Sequence, residues 1–163
     1  MEKIKDRVLE VFLMGVVLVL GYVGYVHSEG SITQSVIAPS LLQQTVNKMT
    51  LDWTSDANGM VSGIDTSYAV DGLLLRVTTI PDLSGDTEPS DNYDLTLSDS
   101  DGIDVLLGLG ANEPNSASNS FVPLLDMDDG TNYLQPIPVK GKLELDVTNA
   151  GNAKGGKVIL YWK

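Results

Sequence analysis

The chain predicts a mainly β fold, an antiparallel two-sheet sandwich preceded by an apolar amino-terminal α-helix. Three observations carry that expectation. Short runs alternate apolar and polar side chains with the period of a strand that buries one face. Gly, Asn, Asp and Pro gather between those runs, where turns need them. The longest apolar run, Val11 to Val26, lies ahead of every strand pattern. The 163 residues therefore divide into a helix over 1–28, a connector over 29–44 and a single β domain over 45–163.

In the first segment Lys3, Lys5 and Arg7 precede an apolar stretch interrupted only by Gly15, Gly21 and Gly24. Three readings compete. A signal peptide would have this basic start and apolar centre, with a cut before Glu29. A retained anchor would use residues 8–26, about 28 Å of helix at 1.5 Å per residue, close to the thickness of a bilayer core. An assembly helix would bury the same residues among neighbouring subunits. Anchor or assembly helix stands ahead of cleavage, with Val11, Phe12, Leu13, Val16, Leu20, Tyr22 and Tyr25 as the contacting side chains. Tyr22 and Tyr25 suit the outer interface, and the basic start keeps the amino terminus on the cytoplasmic side.

The connector is polar, with scattered Ile32, Val36, Ile37 and Leu41 that can begin a first strand. Met49, Leu51 and Trp53 then alternate with polar residues until Asp56-Ala-Asn-Gly59, which predicts a tight hairpin with Met60 to Ile64 returning along the first strand. Leu73 to Ile80 is the next strand, with Leu73, Leu75 and Val77 on one face, Leu74 and Ile80 opposite beside Arg76 and Thr78, both faces partly covered, and Pro81 stopping it. An acidic loop leads to Tyr93, Leu95 and Leu97, the cleanest alternation in the chain, which ends in the turn Asp99-Ser-Asp-Gly102. Ile103 to Leu109 fits a helical turn or a strand equally well. Phe121 to Leu125 is a short strand interrupted by Pro123, and two prolines confine Gln135 to Val139 to a sheet edge. Leu143, Leu145 and Val147 mark one further strand, and Val158, Leu160 and Trp162 mark the last. The count of about eight short strands with antiparallel turn chemistry favours a jelly-roll-like topology over a parallel α/β fold.

Charge and composition exclude more than they assign. A formal charge of −12 argues against nucleic acid as a partner. From Val77 through Val139 there is no Lys or Arg, while twelve Asp and Glu fall in that span, which gives a solvated acidic rim or a surface for a basic partner. Without cysteine there is no disulfide or thiolate. The one histidine, His27, lies in the apolar segment, so the β domain has no base for a Ser-His-Asp arrangement. A glycosidase pair needs two carboxyl groups roughly 5 to 10 Å apart in a cleft, whereas these acids sit in turns and on polar strand faces. Asp99, Asp101 and Asp104 are the residues that would hold calcium, yet with Asp99 as first ligand the fifth position is Ile103 and Glu113 falls three residues late for the twelfth. A β-turn in which Asp99 or Asp101 bonds local backbone N–H groups explains them more simply, and Asp126, Asp128 and Asp129 take the same reading. No enzymatic residue and no cofactor is assigned.

Ser90-Asp-Asn-Tyr-Asp-Leu-Thr-Leu-Ser-Asp-Ser-Asp-Gly-Ile-Asp-Val-Leu-Leu-Gly-Leu-Gly110, followed by Gly141-Lys-Leu-Glu-Leu-Asp-Val-Thr-Asn-Ala-Gly151 and Gly156-Lys-Val-Ile-Leu-Tyr161, resembles the small β-rich structural proteins of bacterial viruses, of the capsid-cement or decoration kind. The resemblance covers about residues 45–163. It implies a non-enzymatic virion protein that works by burying contact area against other virion proteins, often as a homo-oligomer. The apolar amino-terminal run departs from cement proteins and points to a particle with a membrane, tied to it through residues 8–26. The competing expectation is a secreted or membrane-anchored cell-surface β module that binds cations or glycans.

Overall fold

A computed structural model describes residues 30–37, 46–126 and 134–163. The amino-terminal segment, with every contact residue predicted there, lies outside the described residues, as do Asp128 and Asp129. Among the described residues no helix is long and apolar enough to cross a membrane.

The described chain is mainly β and its two sheets are antiparallel throughout. The ten strands are β1 (Ser31–Ile37), β2 (Asn47–Thr54), β3 (Val61–Asp65), β4 (Gly72–Pro81), β5 (Asp94–Ser98), β6 (Asn119–Phe121), β7 (Leu124–Asp126), β8 (Leu134–Val139), β9 (Glu144–Thr148) and β10 (Gly155–Trp162). The large sheet runs β1-β2-β10-β4-β8-β7, with β6 also on β4, and the small sheet runs β3-β9-β5. β1 forms inside the span read as a connector and pairs with β2 along all of its residues.

Alternation dictates which faces meet. Met49, Leu51 and Trp53 of β2, Val158, Leu160 and Trp162 of β10, Leu95 and Leu97 of β5, and Leu145 and Val147 of β9 are all buried in one cluster shared by both sheets. Each such side chain contributes about 1.5–3 kcal/mol when it leaves water. Trp53 packs on Tyr93 with ring centroids 5.7 Å apart. Gly156 makes room for that indole, since a Cβ there would meet the Trp53 ring and the Ile80 carbonyl at 2.9 Å.

Four local expectations are corrected. The Asp56–Gly59 turn forms, with Asp56 Oδ1 accepting from the Asn58 and Met60 amides at 2.8 Å, but it is not a hairpin. It carries the chain from one sheet to the other, and β3 pairs with β9 instead of β2. On β4 the buried residues are Leu74, Val77, Thr79 and Pro81, while Leu73 is exposed. The cause is a bulge: Trp162 faces Leu74 and Tyr161 faces Arg76, so Leu75 is an extra residue that shifts the phase of the strand. β8 is not at an edge but lies between β4 and β7. Its two ladders do not overlap, residues 137–139 pairing with β4 and 134–136 with β7, so each half keeps one open side and a strand lacking N–H at Pro136 and Pro138 is accommodated. Finally, Pro123 divides its segment into two strands on different partners, β6 on β4 and β7 on β8.

Candidate functional site

Asp99 and Asp104, two of the three carboxylates singled out as calcium ligands, are engaged with backbone. Asp99 Oδ1 accepts from the amides of Asp101 and Ile103, both at 3.0 Å. Asp104 Oδ1 accepts from Leu106 at 2.9 Å and Leu97 at 3.3 Å, and its Oδ2 from Gly108 at 2.8 Å. Asp101 is exposed, and the structure brings no ligand cage together at these three residues. Among the described residues no group of three or more His, Cys, Asp or Glu is arranged to hold a metal ion.

These bonds shape the segment that follows. Residues 104–110 form consecutive turns, with Leu107, Leu109 and Ala111 donating three residues back, and not a strand. Leu107 takes the left-handed conformation (φ 56°). The turns bury Val105 and Leu106 and leave Ile103, Leu107 and Leu109 60%, 46% and 44% exposed. Bridges from Ser98 to Asp104 and from Tyr93 to Glu113 lay the segment along the free edge of β5, in the place of a fourth strand of the small sheet.

Its far end is held by Glu113, which the sequence presented only as a misplaced twelfth ligand of a calcium loop. The residue is only 1% exposed. Thr79 Oγ1 on β4 donates to Glu113 Oε2 at 2.5 Å, and Asn119 Nδ2 on β6 donates to Oε1 at 3.2 Å. Burial, and next the nearby Glu113 charge, push the Tyr93 hydroxyl well above its ordinary pKa of 10.0. Only the spatial approach of β4, β6 and the 104–113 segment reveals this cluster, and no local pattern carries it.

The outer faces of the two sheets carry different charges. On the large sheet Lys48, Tyr161 and Arg76 lie side by side across β2, β10 and β4. The Arg76 guanidinium sits 4.1 Å from the Tyr161 ring centre and the Lys48 ammonium 6.0 Å. Lys157 pairs with Asp52 at 3.4 Å, both half exposed. The small sheet turns Asp65, Asp94, Glu144 and Asp146 outward, with Asp65 directly opposite Glu144. Asp94 accepts from the Asn112 amide and Asn149 Nδ2, and Asp146 from the Gly63 amide. At the rim of this face a shallow depression of about 380 Å³ is lined by Asp65, Ser98, Asp99, Ser100, Gly102, Lys142 and Glu144. A second, of about 400 Å³, lies over Asp52, Ile80, Asp82 and Lys157 on the large sheet.

Comparison with protein-family models, with curated proteins and with solved structures gives no match to this chain.

Proposed function

We propose that this chain is a non-enzymatic structural protein of a virus particle, in a minor capsid, cement or decoration role, built as a jelly-roll sandwich. The observation that carries the reading is the strand order. β2, β10, β4 and β8 neighbour one another in one sheet and β3, β9 and β5 in the other, so that the chain alternates sheets from β2 to β5 and again from β8 to β10. With residues 104–113 beside β5, this is the order of two interleaved Greek keys, an architecture used by viral capsid domains. Architecture alone does not fix function. What supports a contact role is the use of the carboxylates: Asp99 and Asp104 brace backbone amides, while the apolar side chains of Ile103, Leu107 and Leu109 are left facing outward. In this reading the amino-terminal run ties the domain to a membrane or to neighbouring subunits.

Particles purified to constant composition test the proposal. The chain is expected at a fixed ratio to the major shell protein after high-salt washing, and its absence from the particles overturns the reading.

A second reading, a cell-surface module that binds cations or glycans, draws on the acidic depression at Asp65, Asp99 and Glu144 and on the occurrence of jelly rolls among lectins. It expects the melting temperature to rise with calcium or an oligosaccharide. An unchanged melting curve with both removes it.

A further inference from the structure

We propose that copies of this chain bind one another head to tail, the cationic outer face of the large sheet of one copy resting on the acidic outer face of the small sheet of the next. The inference deepens the structural reading, on which it rests for its biological purpose, by naming a second copy of the chain as a partner.

The two sheets bury their inner faces in one core, so their outer faces look in opposite directions. On the large sheet Lys48 and Arg76 flank Tyr161, while Asp52 and Asp82 lie next to Lys157 and Asp126 stands on β7. On the small sheet Asp65, Asp94, Glu144 and Asp146 face outward with no Lys or Arg among the strand residues, Lys142 standing only at the rim. In a chain of net charge −12, the gathering of cations on one face is a departure from the average and gives each copy a charged front and back.

Both faces are prepared for contact. Like charges opposite one another in a ladder destabilise it, and none of the four acids is ion-paired with a described Lys or Arg, so Asp65 and Glu144 gain from an external cation. Asp94 and Asp146 are already oriented by their amide donors, which lowers the entropy cost of binding. Stacking on Tyr161 holds the Arg76 guanidinium in place, and a guanidinium edge matches a carboxylate with two parallel hydrogen bonds. Apolar area accompanies the charge: Ile37, Ile80 and Ile159 on the cationic face, and Leu107 and Leu109 beside β5 on the acidic side.

Net repulsion between copies does not forbid the contact. At 0.15 M salt the screening length is about 8 Å, so repulsion between molecular centres is damped while charges in contact still attract. Because the two patches are different, the contact is heterologous and builds a ring where the rotation closes and a filament where it does not.

Full-length chain in mild detergent, half of it isotopically labelled, is treated with a water-soluble carbodiimide, which joins Lys to Asp or Glu in contact. Mixed-isotope links are expected between Lys48 or Lys157 of one copy and Asp65, Asp94, Glu144 or Asp146 of another. Their yield should fall about tenfold in Arg76→Glu, and as far in the double variant Glu144→Lys with Asp146→Lys. An equal mixture of the two variants should restore the links, since one keeps the acidic face and the other the cationic face, a recovery that misfolded chains could not give. Links absent from the wild-type chain, or unchanged in both variants, overturn the proposal and leave the faces to other partners. A chain present in purified particles without these links overturns the self-contact alone, and a chain that links in solution but is missing from particles overturns the structural role alone.

Discussion

Asp104 and Glu113 hold the two ends of one irregular segment, and they do so in opposite surroundings. Asp104 is half-buried at the rim and takes three backbone amides from nearby in sequence. Glu113 is buried and takes side-chain donors from two other strands, Thr79 on β4 and Asn119 on β6. At the rim a carboxylate that loses its partners can turn to water. In the core it cannot, because a buried polar group left unpaired bears its full desolvation cost. Two hydrogen bonds in the core therefore outweigh three at the rim.

The largest effect expected from that difference is at Glu113. Glu113→Ala strands the buried Thr79 hydroxyl and opens a void, and should lower unfolding free energy by about 3 kcal/mol in urea denaturation followed by tryptophan fluorescence. Adding Thr79→Val should recover part of the loss by removing one stranded donor. Asp104→Ala comes next, at about 1–2 kcal/mol. Hydrogen exchange should quicken at the Leu106 and Gly108 amides and stay slow at Leu145. A loss at Asp104 equal to that at Glu113 would break the contrast.

Two smaller effects depend on pH. The folded Tyr93 hydroxyl titrates above its ordinary 10.0, so its contribution is complete below that value and is lost as pH rises through it toward the folded value. Tyr93→Phe should thus be less destabilised than wild type between neutral pH and strongly alkaline buffer, read as the change in melting temperature. At the surface, hydrogen bonds from Thr87 and from the Ser84 amide hold the Asp82 carboxyl below its ordinary 3.8. Its contribution is present above 3.8 and is lost as pH falls through the folded value. Asp82→Asn should flatten that acid response locally, seen in the Ser84 amide signal by NMR, with almost no change in global melting.

The same contrast explains what could be read from the chain. Tyr93, Leu95 and Leu97, and Leu143, Leu145 and Val147, were legible because one strand with one buried face writes its own alternation, and all six are buried. The Asp99 turn was legible as well, since its donors lie within four residues, whereas the brace at Asp104, one of whose donors is Leu97 in the preceding strand, was not. Partner choice was not. The Asp56–Gly59 turn has hairpin chemistry, yet nothing local says that the chain steps to the other sheet. Two prolines suggested an edge for β8 because the pattern could not show that its ladders stop short of one another. Glu113 was hidden for the same reason, its donors lying 34 residues before it and 6 after it. The gathering of Lys48 and Arg76 about Tyr161, and of four acids on the small sheet, emerged only once parity and pairing had sorted the charges.

The extra residue at Leu75 makes β4 a strand written in two phases, Leu74 in one and Val77 in the other. Length is thereby as informative there as residue type. Removing Leu75 would leave Leu74 facing Trp162 and Arg76 facing Tyr161, so strict alternation would return with every other side chain of the strand on its present face. A single-residue deletion elsewhere on β4 slips the strand by one position, which exchanges its faces. Position 75 should therefore tolerate the loss of a residue that its neighbours would not.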